Sequence, residues 1–175
     1  VDNQAEAVVN LFYWNNIVHD VLFHYGFDEA AGNYQFTNYS GQGLGGDQVI
    51  ASAQFGADFG ITNNAFFAPA PEGQTGLMAM FEFDFTSPTR DSDNEATIIV
   101  HEYLHGVTTR LVGGSASVDE LSGIQSGGMG EGWSDFFGLA FTAKASDLIN
   151  DAYPVGTYVL GQSIDGLGIR RFPYS

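Results

Sequence analysis

The chain has 175 residues, no cysteine and a formal net charge of −16 with only five Lys and Arg. That length suffices for one folded domain with a sizeable core, and 44% hydrophobic content fits such a core. Disulfides and thiolate metal sites are excluded, a nucleic-acid partner lacks the clustered positive charge it needs, and no segment is long and apolar enough to predict a membrane span.

Residues 5 to 25 place Val8, Leu11, Val18 and Leu22 among apolar residues at helical spacing and end near Gly26, which predicts an N-terminal helix. His19 and His24, five apart on that helix, do not share a face and read as structural histidines. From 33 to 86 the pattern changes to short β-like runs broken by Gly and Asn. Gly41 to Gly46 lacks the order of a phosphate-binding loop and carries no basic residue. The run from Met78 to Phe85 alternates as a strand, with Glu82 and Asp84 facing outward. Asp91, Asp93 and Glu95 then alternate ahead of the next helix. They suit either a calcium ion or helix N-capping, and capping is the simpler account.

Residues 93 to 112 predict a buried helix through Ile98, Ile99, Val100, Leu104, Val107 and Leu111, ending at Gly113 and Gly114. Inside it stand His101, Glu102 and His105. Histidines four apart on a helix point the same way, so both imidazoles can reach one metal ion, whereas burying such groups without a partner is costly. Zinc suits this donor set, and Glu102 is placed to take a proton from a water whose pKa the metal lowers. A third helix, from the Gly-rich segment near Ser126 to Ala145, is expected to bury Met129, Trp133, Phe136, Phe137, Ala140 and Phe141. Glu131 and Asp135, four apart on this helix, share a face. One can bind metal while the other accepts the remaining N–H of a ligand histidine.

HEYLHGVTTRLVGG and GGMGEGWSDFF together resemble the two signature segments of the fungalysin family of secreted zinc endopeptidases, which are thermolysin-like gluzincins. The likeness runs over essentially the whole chain, including NLFYWNNIVHDVLFHYGFDEAAGN, GGDQVIASAQ and TNNAFFAPAPEG. It implies His101, His105 and Glu131 as ligands of one zinc ion, Glu102 as general base, and Asp135 as partner of a ligand histidine. It further implies an edge strand where Asn64 and Ala65 meet an extended peptide, with Arg170 matching an arginine that contacts the substrate carbonyl. The calcium acids of thermolysin do not recur, Thr97 and Thr142 standing in their places, and residues 118 to 130 lack the tyrosine expected before Glu131.

The expected fold is α+β: an N-terminal helix, a twisted, mainly antiparallel sheet and two metal-binding helices, forming over residues 1–175 a single zincin-type subdomain. The resemblance places a transition-state-stabilising histidine in a C-terminal helical subdomain. That subdomain is expected to begin near Gly168 to Ser175 and to lie outside this chain, supplied by a second chain if at all. The expected activity is zinc-dependent cleavage of internal peptide bonds by a secreted protein freed of a signal peptide and propeptide. The alternative is a zinc-binding but catalytically incomplete module that binds peptides or a partner chain. An aminopeptidase would need an acidic group to capture the substrate's free amine, and no such motif stands out.

Overall fold

A computed structural model describes residues 3–175. The N-terminal helix α1 (Gln4–His24) buries Ala7, Leu11, Val18 and Leu22, a stripe at helical spacing, and turns Val8, Val9, Phe12 and Tyr13 outward. Three short strands follow: β1 (Ile50–Ser52), β2 (Ala65–Ala68) and β3 (Leu77–Met80). They form one sheet in the order β1-β3-β2, with β1 parallel and β2 antiparallel to β3. A separate antiparallel pair joins β4 (Glu82–Phe83) to β5 (Arg90–Asp91). The architecture is therefore α+β with small mixed sheets. The long strand expected from Met78 to Phe85 is split at Phe81, whose carbonyl accepts from the Ser92 N–H and hydroxyl instead of from a neighbouring strand. Asp84 is exposed as expected and Glu82 half-buried.

Helix α2 (Ala96–Gly113) is buried almost all round, as its composition predicts, except that Leu111 turns out to solvent. Ile99, Val100, Tyr103, Leu104 and Val107 pack with Leu11, Val18 and Leu22 of α1 and with Phe67, Met78 and Met80 of the sheet. Each such aliphatic side chain contributes about 1.5–3 kcal/mol on burial. The far end of α2 is tied down by Arg110, wholly buried against an equally buried Asp47 at 2.8 Å. Its guanidinium also donates to the carbonyls of Gly32, Asn33, Ala70, Pro71 and Gln74 and lies 3.6 Å from the Tyr34 ring centroid. With every donor direction used, this buried charge fixes the loop that follows β2.

Helix α3 (Ile124–Thr142) packs along α2 at very short range. Gly138 is where the backbones meet, since a Cβ built there would lie 2.7 Å from the Thr97 carbonyl oxygen. The buried positions of α3 are Gly130, Ser134, Asp135 and Gly138, a small and polar face. Met129 and Phe136, expected inside, are exposed, because close approach to α2 excludes large side chains from the contact line. No helix among the described residues is long and apolar enough to cross a membrane.

The acidic run before α2 also differs from a simple cap. Asp91 accepts from the Asp93 N–H and caps the short Ser92–Asn94 turn. Glu95 occupies the N-cap position of α2 without a side-chain cap bond. Its carboxylate instead accepts from the Thr97 hydroxyl and the Tyr158 N–H. Asp93 is buried, and its carboxylate accepts from the Gln54 N–H. Burial, reinforced by the neighbouring Asp91 carboxylate, pushes Asp93 up to about 9.

Two consequences are measurable. An unfolded aspartate loses its proton near pH 4, whereas folded Asp93 keeps its proton until about pH 9. The unfolded state therefore binds fewer protons through this window, and the Asp93 contribution to stability falls as pH rises. Asp93→Asn is expected to flatten that fall in urea unfolding between pH 4 and 9. Gly138→Ala forces a methyl group onto the Thr97 carbonyl, and overpacking should exceed the gain in helix propensity, lowering stability by about 1–2 kcal/mol in denaturant melts.

Candidate metal centre

His101 and His105 project from one face of α2 with their Nε2 atoms 3.0 Å apart. Glu131, one turn before Asp135 on α3, brings Oε2 to 3.3 Å from His101 Nε2 and Oε1 to 3.4 Å from His105 Nε2. Four atoms at tetrahedral bonds of 2.0–2.1 Å are separated by edges of about 3.3 Å, so these spacings suit three ligands of one ion. Among the described residues, this is the one group of three or more His, Cys, Asp or Glu whose ligand atoms lie close enough to hold a metal, all within 4.8 Å of one another. His101 is 7% exposed at its side chain, His105 23% and Glu131 56%, which opens the group toward the side of the carboxylate.

Asp135 accepts from His101 Nδ1 at 2.7 Å, which orients the ring so that Nε2 faces the cluster. The carboxylate is buried and holds three further hydrogen bonds. Arg170 donates from Nε at 2.6 Å and from Nη2 at 2.7 Å, and the Tyr174 hydroxyl donates at 2.6 Å. Burial alone would raise Asp135, but the donors His101, Arg170 and Tyr174 outweigh it and hold the carboxyl well below its usual range. Burial likewise opposes charge on His101, yet its bonds to Asp135 and Glu131 prevail and push it up to about 9. His105 moves the other way, down to about 4, through burial and then the charge of His101. Glu131 is lowered, first by its bond to His101.

Glu102 lies on α2 beside this triangle and holds none of its corners. Burial is the largest influence on it and pushes its carboxyl up to about 7 against the pull of His101. All four groups open into a cleft of about 820 Å³. One wall of that cleft is β2, an edge strand of its sheet, and Asn63, Asn64, Ala65 and Phe66 line it. The edge is set by Asn63, at φ 64°, whose side chain exchanges hydrogen bonds with the Asp84 backbone and carboxylate. Ile98, Val155, Ile169 and Arg170 also line the cleft.

The whole described chain fits one family. Residues 1–175 match the model of the family described as Fungalysin metallopeptidase (M36). The chain belongs to the fungalysin metallopeptidase family. It is 47% identical over 169 residues to extracellular metalloproteinase MEP of Pyricularia oryzae, covering 97% of this chain and 26% of that protein. It is 45% identical, over the same length, to extracellular metalloproteinase 1 of Phaeosphaeria nodorum and to extracellular metalloproteinase 4 of Arthroderma otae, covering 26% and 25% of them. This fungalysin chain thus spans about a quarter of the length of the relatives it matches.

The residues singled out in the sequence meet at one place: His101, Glu102, His105, Glu131 and Arg170 line one cleft with Asn64 and Ala65, and Asp135 stands behind His101. Arg170 also lies 3.6 Å from Glu131 through Nη2, so its guanidinium bridges the two acids of α3. His19 is remote from the cleft and bonds to Asp20, Gln35 and Asn33, in keeping with a structural role. Two neighbours escaped the sequence reading. Tyr174 reaches Asp135 from 39 positions away, and Ser134 Oγ lies 3.4 Å from His105 Nδ1. The serine was within reach of helical periodicity, since it lies three residues after Glu131. No local pattern points to the tyrosine.

Asp135→Asn should keep the side-chain shape but lose the anionic acceptor for His101. The expected outcome is metal binding weakened by about 10–100-fold, read by calorimetric titration.

Proposed function

We propose that this chain forms the metal-binding part of a zinc endopeptidase that cleaves internal bonds of extended peptides. The reading is carried by one observation: two imidazole nitrogens 3.0 Å apart, each with an oxygen of one carboxylate at 3.3–3.4 Å, lie at a cleft whose wall is an unpaired strand edge. Two imidazoles and one carboxylate match zinc in donor type and number, and His101, His105 and Glu131 would hold the ion. Zinc held there supplies Lewis acidity, lowering the pKa of water and polarising a carbonyl.

The protein's own groups do the rest. An extended substrate adds to the edge of β2, where the backbone around Asn64 and Ala65 offers main-chain hydrogen bonds and places the scissile bond over the metal-binding side chains. Glu102 takes the proton of the attacking water and passes it to the leaving amine. Its buried carboxyl, near the middle of the physiological range, suits both halves of that transfer. Asp135 keeps His101 in the tautomer that presents Nε2, and Arg170 holds Asp135 while facing the cleft, where it can reach a substrate carbonyl.

Residues 1–175 would form a thermolysin-like zincin subdomain, completed by a helical C-terminal subdomain that brings the transition-state-stabilising histidine. The relatives are about four times as long as the matched region, which supports such a division of labour. Those relatives are extracellular metalloproteinases by name, which supports secretion, and a propeptide removed on activation accords with it. A second reading, a module that binds zinc and a partner chain with little turnover of its own, is favoured by one surface. An apolar groove between α1, α2 and α3 is lined by Tyr25, Leu111, Phe137 and Phe141, with Tyr25 and Leu111 well exposed.

The test is hydrolysis of an internally quenched peptide, blocked at both ends, by the complete protein before and after chelation. Activity should vanish with the metal and return with zinc. Glu102→Gln should lose about 10²–10⁴-fold or more in kcat while retaining one zinc per chain. Full activity in that variant would remove Glu102 from the chemistry.

A further inference from the structure

The end of the described chain is folded back onto the metal centre by a loop that begins at Tyr153. Tyr153 and Tyr174 pair as an isolated antiparallel bridge, exchanging backbone hydrogen bonds of 2.7 and 3.0 Å. Between them the loop is pinned to the start of α2: Glu95 Oε2 accepts from the Tyr158 N–H, and the Thr97 hydroxyl oxygen from the Gly156 N–H. It is also folded on itself at Gly168. A Cβ there would lie 2.3 Å from the Val155 carbonyl oxygen, and φ is +71°, so only glycine fits. The loop therefore arrives at α3 already shaped, with Arg170 and Tyr174 directed at the same carboxylate.

From this geometry we infer that Tyr174 is a positioning residue of the metal centre, acting on the ligand His101 through Asp135. The inference rests on the zinc-site reading above. Asp135 Oδ1 is shared by His101 Nδ1 and Arg170 Nη2, and Oδ2 by Arg170 Nε and the Tyr174 hydroxyl. A carboxylate has about four lone-pair sites, so the tyrosine supplies the last donor and closes the shell. Arg170 alone could still pivot with the carboxylate about the Cβ–Cγ bond. A second donor on Oδ2, arriving from a residue tied by its backbone to Tyr153, removes that freedom and fixes the plane in which Oδ1 meets the imidazole. Tyr174 sits too far back to line the cleft, so its effect passes through Asp135 and leaves the substrate untouched.

The test uses the complete protein, freed of metal and titrated with Zn²⁺ against a chelator of known affinity. Tyr174→Phe removes only the hydroxyl. It should weaken zinc by about tenfold, the low end of what losing an outer partner of a ligand costs. With Co²⁺ in place of Zn²⁺, its visible d–d bands should shift, a change that loss of stability alone does not produce. In an Asp135→Asn background the same tyrosine substitution should change zinc affinity little, because the path through the carboxylate is already broken. Wild-type affinity and an unshifted cobalt spectrum in Tyr174→Phe overturn the inference, as does an equal loss in both backgrounds. Should the variant not fold, a crystal structure of the unaltered zinc-loaded protein decides, and a Tyr174 hydroxyl beyond 3.5 Å from Asp135 overturns it. If His101→Ala leaves zinc affinity unchanged, the zinc-site reading itself has failed, which is a separate outcome.

Discussion

The backbones of α2 and α3 meet where Gly138 lies under the Thr97 carbonyl, and the spacing of the candidate metal centre follows from that contact. A larger residue at 138 would push α3 outward. Glu131 and Asp135, two turns and one turn earlier on the same helix face, would be carried away from the histidines with it. The hydrogen bond from His101 to Asp135 is 2.7 Å long, and an outward shift of 1 Å would break it. The apolar packing of α2 against α1 and the sheet holds one half of the site, while a glycine contact sets the distance to the other.

Positive charge is scarce in this chain, and much of what exists is spent on internal contacts. Arg110 neutralises Asp47 inside the fold and gathers five carbonyls, Arg170 neutralises Asp135, and Arg90 donates to the Tyr158 carbonyl. Around the cleft this leaves Glu102, Glu131 and Asp135 facing one arginine. A divalent cation held by His101, His105 and Glu131, as proposed, would restore the balance of charge locally and would compete with protons for the same nitrogens.

His101, Glu102, His105, Glu131 and Asp135 were legible in the sequence because each pair lies within a turn of helix, where spacing alone decides which side chains share a face. The α+β class and the helix positions were legible for the same reason, to within a few residues at each end. What was hidden depends on contacts between distant segments. Met129 and Phe136 read as core by their chemistry, yet a neighbouring backbone leaves them no room. The parallel pairing of β1 with β3 is set by a long connection, and the capture of Asp135 by Tyr174 by the closure of a loop. Glu95 looked like a cap from its position and instead holds that loop in place.

The exposed edge of β2 suits any extended chain with the right spacing, including another copy of itself. Its sequence, Ala65-Phe66-Phe67-Ala68, is apolar and carries no charge that would discourage such pairing. Two features outside the strand limit it. Pro69 and Pro71 follow directly, so the edge cannot lengthen beyond one short segment, and a net charge of −16 repels copies before their edges meet. That repulsion shrinks to a range of about 3 Å in 1 M salt. The same acidity that leaves the fold short of cations thus keeps the β2 edge free, and concentrated brine would leave the prolines to guard it unaided.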